Sequence, residues 1–166
     1  MLQTGYESES TSDIPSLFEI ETISDLIHIA QNYVGEGTRN KDIEKLKKVI
    51  NELKQLNEMI GLEDLKKQIV YQLLLYVQNL HSDEMMHTAL MGPPGVGKTT
   101  VAKIIGKIYS KLGFLSKSSF KLVGREDLVG EFLGQTAVKT KKVLESSIGG
   151  VLFIDEAYSL GNTGND

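Results

Sequence analysis

The chain of 166 residues contains no cysteine. Disulfides and thiolate metal sites are therefore excluded, and the composition fits a reducing compartment. No apolar run approaches the length that a membrane-spanning helix needs. The N-terminal stretch MLQTGYESESTSD is polar and acidic, which is not the make-up of a secretory signal. Positive charge is not in excess: 18 Lys and Arg stand against 22 Asp and Glu, a net charge of −4. That balance gives no general reason for nucleic-acid binding, and no basic stripe marks a nucleic-acid track. His28, His81 and His87 lack the spacing of a metal site and read as ordinary surface or core histidines. These absences leave a soluble globular chain, expected in the cytoplasm and away from membranes, with an ordinary hydrophobic fraction of 40%.

What is present centres on Gly92–Thr99, GPPGVGKT, which fits the phosphate-binding pattern G-x-x-x-x-G-K-[ST]. Glycines at this spacing let the backbone curl and bring its N–H groups close to an anion. Lys98 supplies a positive charge for the β- and γ-phosphates, and Thr99 a hydroxyl for Mg²⁺. Thr100 to Leu112 reads as a helix, whose positive end faces the same phosphates. MHTALM, Met86 to Met91, reads as a short buried strand before the loop. Strand, loop and helix in this order are the context the pattern requires.

The remaining chain divides by composition and periodicity. Residues 1–20 are rich in Ser, Thr and Glu and read as a disordered tail. Thr22 or Ser24 is a candidate cap for a helix over Asp25 to Tyr33, with Leu26, Ile27, Ile29 and Ala30 on its apolar side. Gly35 to Thr38 breaks it. Lys41 to Met59 carries Ile43, Leu46, Ile50, Leu53 and Leu56 at helical spacing, which predicts one amphipathic helix. It is read either as half of a docking hairpin with the previous helix, or as a helix lying over the domain that follows, or as a linker. Gly61 ends it. A helix with Glu63 and Asp64 in its first turn follows, with an apolar stripe of Leu65, Ile69, Leu73, Val77 and Leu80, widened by Tyr71, Leu74 and Tyr76.

Beyond the loop helix, Phe120 to Val123 is a strand candidate, and GREDLVGEFLG, Gly124 to Gly134, a glycine-punctuated loop or short helix. Thr136 to Ser147 predicts a helix with Val138, Val143 and Leu144 inward. Val151 to Ile154 is a continuous apolar run, as in a strand buried on both faces of a parallel sheet. Asp155 and Glu156 follow at its carboxyl end, where ligands bind in open α/β sheets. There Asp155 can hold Mg²⁺ through its water shell, and Glu156 can orient and deprotonate a water.

The combination GPPGVGKTT, DLVGEFLGQTA and GGVLFIDEAYSL, spread over about 60–160, resembles the AAA+ ATPases. Within them it resembles the group containing stage V sporulation protein K and red-type Rubisco activase. The resemblance implies a three-layer α/β P-loop NTPase core with a parallel sheet, in which a fourth strand separates the first from the third. It also implies a homo-oligomeric ring, usually a hexamer, with ATP and Mg²⁺ at the subunit interfaces and a protein substrate pulled through the centre. Gly92, Pro94, Gly95, Val96, Gly97, Lys98, Thr99 and Thr100 match the Walker A segment. Thr99 and Asp155 match the metal positions, and Glu156 with Lys98 the catalytic ones. Ile60 and Gly61 resemble a short motif that contacts adenine. Phe132, Leu133 and Gly134 match the pore loop that grips the substrate. The core is then 60–166, incomplete at its C-terminus because the chain stops just after Walker B, ahead of the sensor, arginine finger and lid. Residues 21–59 form a helical segment before it. The alternative activities are a nucleotide-binding regulatory subunit that does not turn over, and another P-loop enzyme.

Overall fold

The computed structural model describes residues 20–32, 38–78, 87–132 and 134–161. In chain order these hold α1 (Ile23–Asn32), α2 (Thr38–Lys47), α3 (Ile50–Glu58), α4 (Glu63–Val77), α5 (Lys98–Leu112), β1 (Phe120–Val123), α6 (Arg125–Leu128), α7 (Gln135–Ser147), β2 (Val151–Ile154) and a 3-10 turn (Ala157–Leu160). The expected tail lies outside the described residues except for Ile20, which is buried. Also outside are the expected turn 81–83 and the stripe residue Leu80.

Thr22 and Asp25 start α1 by a reciprocal cap. The Asp25 N–H donates to Thr22 Oγ1 at 3.2 Å, and the Thr22 N–H donates to Asp25 Oδ2 at 2.8 Å. Ile23, Leu26, Ile29 and Ala30 form the buried stripe that follows.

The single helix expected over Lys41 to Met59 is two helices. The chain turns at Lys48 and Val49, whose N–H groups reach back three residues to Lys45 and Leu46. This tighter turn rotates Val49 fully inward and leaves Ile50 half-buried, so the stripe runs Ile43, Leu46, Val49, Leu53, Leu56. In α4 the inward residues are Ile69, Val70, Leu73 and Tyr76, whereas Tyr71 is 63% exposed. A stripe centred on Leu73 places Val70 inside and Tyr71 out.

α1 to α5 share one hydrophobic core. Tyr76 donates its hydroxyl to the Leu112 carbonyl, and Tyr109 donates to Gln72 Oε1. Burial pushes the Tyr109 phenol up to about 12, so it stays neutral and remains a donor. The helical segment therefore lies against the P-loop helix.

β1 and β2 pair in parallel, Phe120 opposite Val151 through Val123 opposite Ile154. They are the only strands among the described residues. The strand expected at Met86–Met91 is not formed over its described part, residues 87–91, where His87, Thr88, Ala89 and Met91 are exposed. A strand forms on a neighbour's backbone groups, and among the described residues none bonds to this stretch. The same shortage leaves all four residues of β2 half-buried where burial on both faces was expected. On α7, Val143 packs against Val123 and Leu128 and Ser147 is buried, but Val138 and Leu144 are 56% and 51% exposed. The two-stranded sheet is too narrow to cover both sides of that helix.

Candidate functional site

The P-loop keeps its expected shape. Gly97 has φ 86°, a left-handed value that a side chain resists, and a Cβ there would come within 3.0 Å of the Met59 methyl. α5 begins directly after it at Lys98, two residues earlier than the sequence pattern suggested. Gly97 offers no side-chain cap, so the N–H groups of the first turn are left to face whatever lies in the loop. Pro94 and Gly95 form the exposed tip. Val96, Gly97, Lys98 and Thr99 are half-buried, and Thr100 is exposed. Lys98 Nζ donates to the Gly92 and Pro93 carbonyls at 2.9 and 3.0 Å, folding its charge over the loop.

Met59 ends α3 against this loop. The next residue, Ile60, is 99% exposed, and Gly61 and Leu62 both take left-handed backbone, with φ 77° and 62°. Lys66 Nζ holds the turn by donating to the Met59 carbonyl at 2.7 Å. An uncovered Ile beside a P-loop is an apolar surface that a base ring can lie on.

α5 is oriented by two contacts. Ser110 Oγ lies 2.7 Å from Ser118 Oγ, just ahead of β1. One turn earlier, Gly106 lies so close to Val151 and Phe120 that a Cβ would sit 3.0 Å from Val151 Cγ2. The helix thus runs antiparallel to the strands. From Gly106 back to Lys98 it rises about 12 Å, and from Val151 to Asp155 the strand advances about 13 Å. The loop and the carboxyl ends of the strands therefore face the same end of the packed layer. Among the described residues, no hydrogen bond or ion pair joins Lys98 or Thr99 to Asp155 or Glu156.

Asp155 continues the ladder, its N–H donating to the Val123 carbonyl at 2.8 Å. Glu156 follows in left-handed conformation, φ 48° and ψ 43°, its N–H donating to Asp155 Oδ1 at 3.0 Å. The Glu156 carboxylate raises the pKa of the exposed Tyr158 phenol above its ordinary value, with slight burial and the Asp155 charge adding to it. Both acids line an open cleft of about 310 Å³ with Gly124, Arg125 and Ser159. Arg125 Nη1 crosses this cleft and donates to the Ser159 carbonyl. Arg125, Ser159, Tyr158 and Met59 were not singled out from the sequence. The signal for Arg125 was its place just past the end of β1, on the ligand-facing rim of a parallel sheet.

Phe132 is 68% exposed, so it does not pack into the core. Leu133 lies outside the described residues. Gly134, with φ 84°, leads into α7. The loop is pinned at its base, where the Gly130 N–H donates to Thr136 Oγ1 at 3.0 Å and Thr140 Oγ1 donates to the Leu128 carbonyl at 2.8 Å.

These residues fit a nucleotide with its metal. The glycine cradle, the uncapped helix start and Lys98 suit phosphate oxygens. Among the described residues no cluster of three His, Asp or Glu forms a metal cage. Thr99 and Asp155 instead suit Mg²⁺, which binds through few protein oxygens and keeps phosphate and water ligands. No described helix is long and apolar enough to cross a membrane.

Residues 88–166 match the AAA family, the ATPase family associated with various cellular activities. Among curated proteins, cfxQ-like protein R730 of Acanthamoeba polyphaga mimivirus is 40% identical over 158 residues, which is 90% of this chain and 39% of that protein. Stage V sporulation protein K of Bacillus subtilis is 40% identical over 119 residues, 67% of this chain and 37% of that protein. The chloroplastic ribulose bisphosphate carboxylase/oxygenase activase of Cyanidioschyzon merolae is 38% identical over 148 residues, 84% of this chain and 50% of that protein. The chain thus spans half or less of the length of these relatives. With its P-loop, its small parallel sheet and these matches, residues 88–166 belong to the AAA family of ATPases, and the chain is similar to the group that includes stage V sporulation protein K and Rubisco activase.

Proposed function

We propose that this chain binds ATP with Mg²⁺ in the Gly92–Thr99 loop, and that hydrolysis there drives the remodelling of a protein substrate by a ring of such subunits. The observation that carries the reading is the common orientation of two features: the uncapped start of α5 and the Asp155–Glu156 end of β2 face the same end of the layer. Lys98 exchanges its two loop carbonyls for phosphate oxygens, which are stronger partners for an ammonium. Thr99 and Asp155 hold Mg²⁺, which when bound neutralises charge on the phosphates. Glu156 orients the attacking water and takes its proton. Ile60 and Gly61 lie beside the adenine, a placement supported by the contact of Met59 with Gly97. Phe132, with Leu133 and Gly134, grips the substrate chain, because an exposed aromatic packs on unfolded segments with little sequence preference. In this reading 60–166 belongs to the ATPase core, 21–59 is a helical segment resting on α5, and the protein works in the cytoplasm.

A second reading is a nucleotide-binding regulatory subunit that does not turn over. ATPase rate measured against protein concentration separates the two. A rate that rises cooperatively, and that falls by about 10²–10⁴-fold in Glu156→Gln as expected for loss of a general base, supports the first. Tight ATP binding without turnover at any concentration supports the second.

A further inference from the structure

We propose that Arg125 is a positioning residue that couples the Glu156 turn to the Phe132 loop. The inference rests on the reading of Glu156 as the base and Phe132 as the substrate grip.

Glu156 occupies a backbone region that Glu rarely adopts, and such conformations persist only where the surroundings hold them. Within the turn, the Ser159 N–H donates to the Glu156 carbonyl at 2.8 Å, and the Glu156 N–H donates to its neighbour Asp155. Among the described residues, one side chain from another element hydrogen-bonds this turn: Arg125, on the Ser159 carbonyl. Arg125 is the first residue of α6, so a movement of the turn is felt at the start of that helix.

The other end of α6 is fixed to α7 and to the loop. Lys139 Nζ donates to the Glu126 and Val129 carbonyls, Thr140 to the Leu128 carbonyl, and Thr136 accepts from Gly130. The Gln135 N–H donates to the Phe132 carbonyl at 3.2 Å. α6, the Phe132 loop and the start of α7 thus form one hydrogen-bonded frame. Arg125 is its polar tie to the catalytic turn. A rigid, permanently charged guanidinium suits that task better than a flexible ammonium.

The chain has no tryptophan, so Phe132→Trp creates a single fluorescent reporter at the loop. Nucleotide affinity is read separately with a fluorescent ATP analogue and Mg²⁺. In Phe132→Trp, nucleotide is expected to shift the emission. Adding Arg125→Ala is expected to shrink that shift about fivefold, within the range for residues that carry coupling, while the nucleotide Kd stays nearly unchanged. Arg125→Lys restores part of the shift. If circular dichroism shows that the alanine variant unfolds, the lysine variant decides on the same two readouts, a reduced shift at unchanged Kd supporting the coupling. A full shift without Arg125, or a Kd weakened in step with the shift, overturns the proposal. Binding with no shift in Phe132→Trp itself overturns the coupling alone, whereas absence of nucleotide binding in every variant, including the unsubstituted chain, overturns the ATPase reading and the coupling with it.

Discussion

Asp25 and Lys98 make their hydrogen bonds close by in the chain, one to start a helix and one to fold over a loop. Burial by itself would raise the Asp25 carboxyl. The Thr22 hydroxyl and N–H and the Glu21 N–H all donate to it and outweigh burial, so its pKa lies below the ordinary 3.8. A depressed folded-state pKa means that the unfolded chain binds the proton more readily. The stabilisation is therefore complete above 3.8 and is lost as pH falls through the lower folded-state value. Thermal melts of Asp25→Asn are expected to show a flatter loss of stability below that pH than the unsubstituted chain; parallel profiles would remove the assignment. Thr22 and Asp25 were legible in the sequence because a cap is chemistry within four residues. The left-handed Glu156 was not, because no local pattern marks a strained carboxylate. Neither was Arg125, whose partner Ser159 is reached only through the fold.

At the scale of elements, close approach decides where α5 lies. Gly106 is buried against Val151, and its lack of a Cβ lets the helix rest on β2. Gly106→Val adds two methyls beyond a Cβ that would already be 3.0 Å from Val151 Cγ2. The substitution is expected to cost about 1–3 kcal/mol of stability, as overpacking does, and to weaken nucleotide binding by tilting the start of α5. Denaturant titration and nucleotide affinity measured on the same variant check both. Helix existence was readable from apolar spacing, as in α1, α4, α5 and α7. The break between α2 and α3 was not, because neither Gly nor Pro stands at Lys48–Val49. The turn there follows from how Val49 and Leu53 meet the neighbouring helices. Likewise Val138 and Leu144 look like core residues on a helical projection, yet only the width of the sheet decides whether anything covers them.

In the whole molecule, an ion pair between a buried carboxylate and an exposed lysine joins the N-terminal helices to the P-loop helix. Lys111 Nζ donates to Glu52, 2.8 Å from Oε1 and 2.9 Å from Oε2, and Glu52 is 6% exposed. Lys111→Met leaves that carboxylate without its partner and is expected to destabilise the fold by about 1–3 kcal/mol. Because α1 to α5 share one core, helicity and a probe beside the P-loop should unfold together in the variant and in the unsubstituted chain. Separate transitions would show that the helical segment is an independent unit. The sequence by itself determined the P-loop pattern, the acidic pair after the β2 run and the resemblance to the AAA family, because each rests on residue types at fixed short spacing. Only the tertiary structure decided that the helical segment packs on α5, that Met59 touches the loop, that Arg125 reaches the Glu156 turn, that Phe132 is exposed, and that 87–91 pairs with no strand among the described residues. Those outcomes depend on contacts between residues distant in the chain, where packing and available backbone partners, not local pattern, fix the answer.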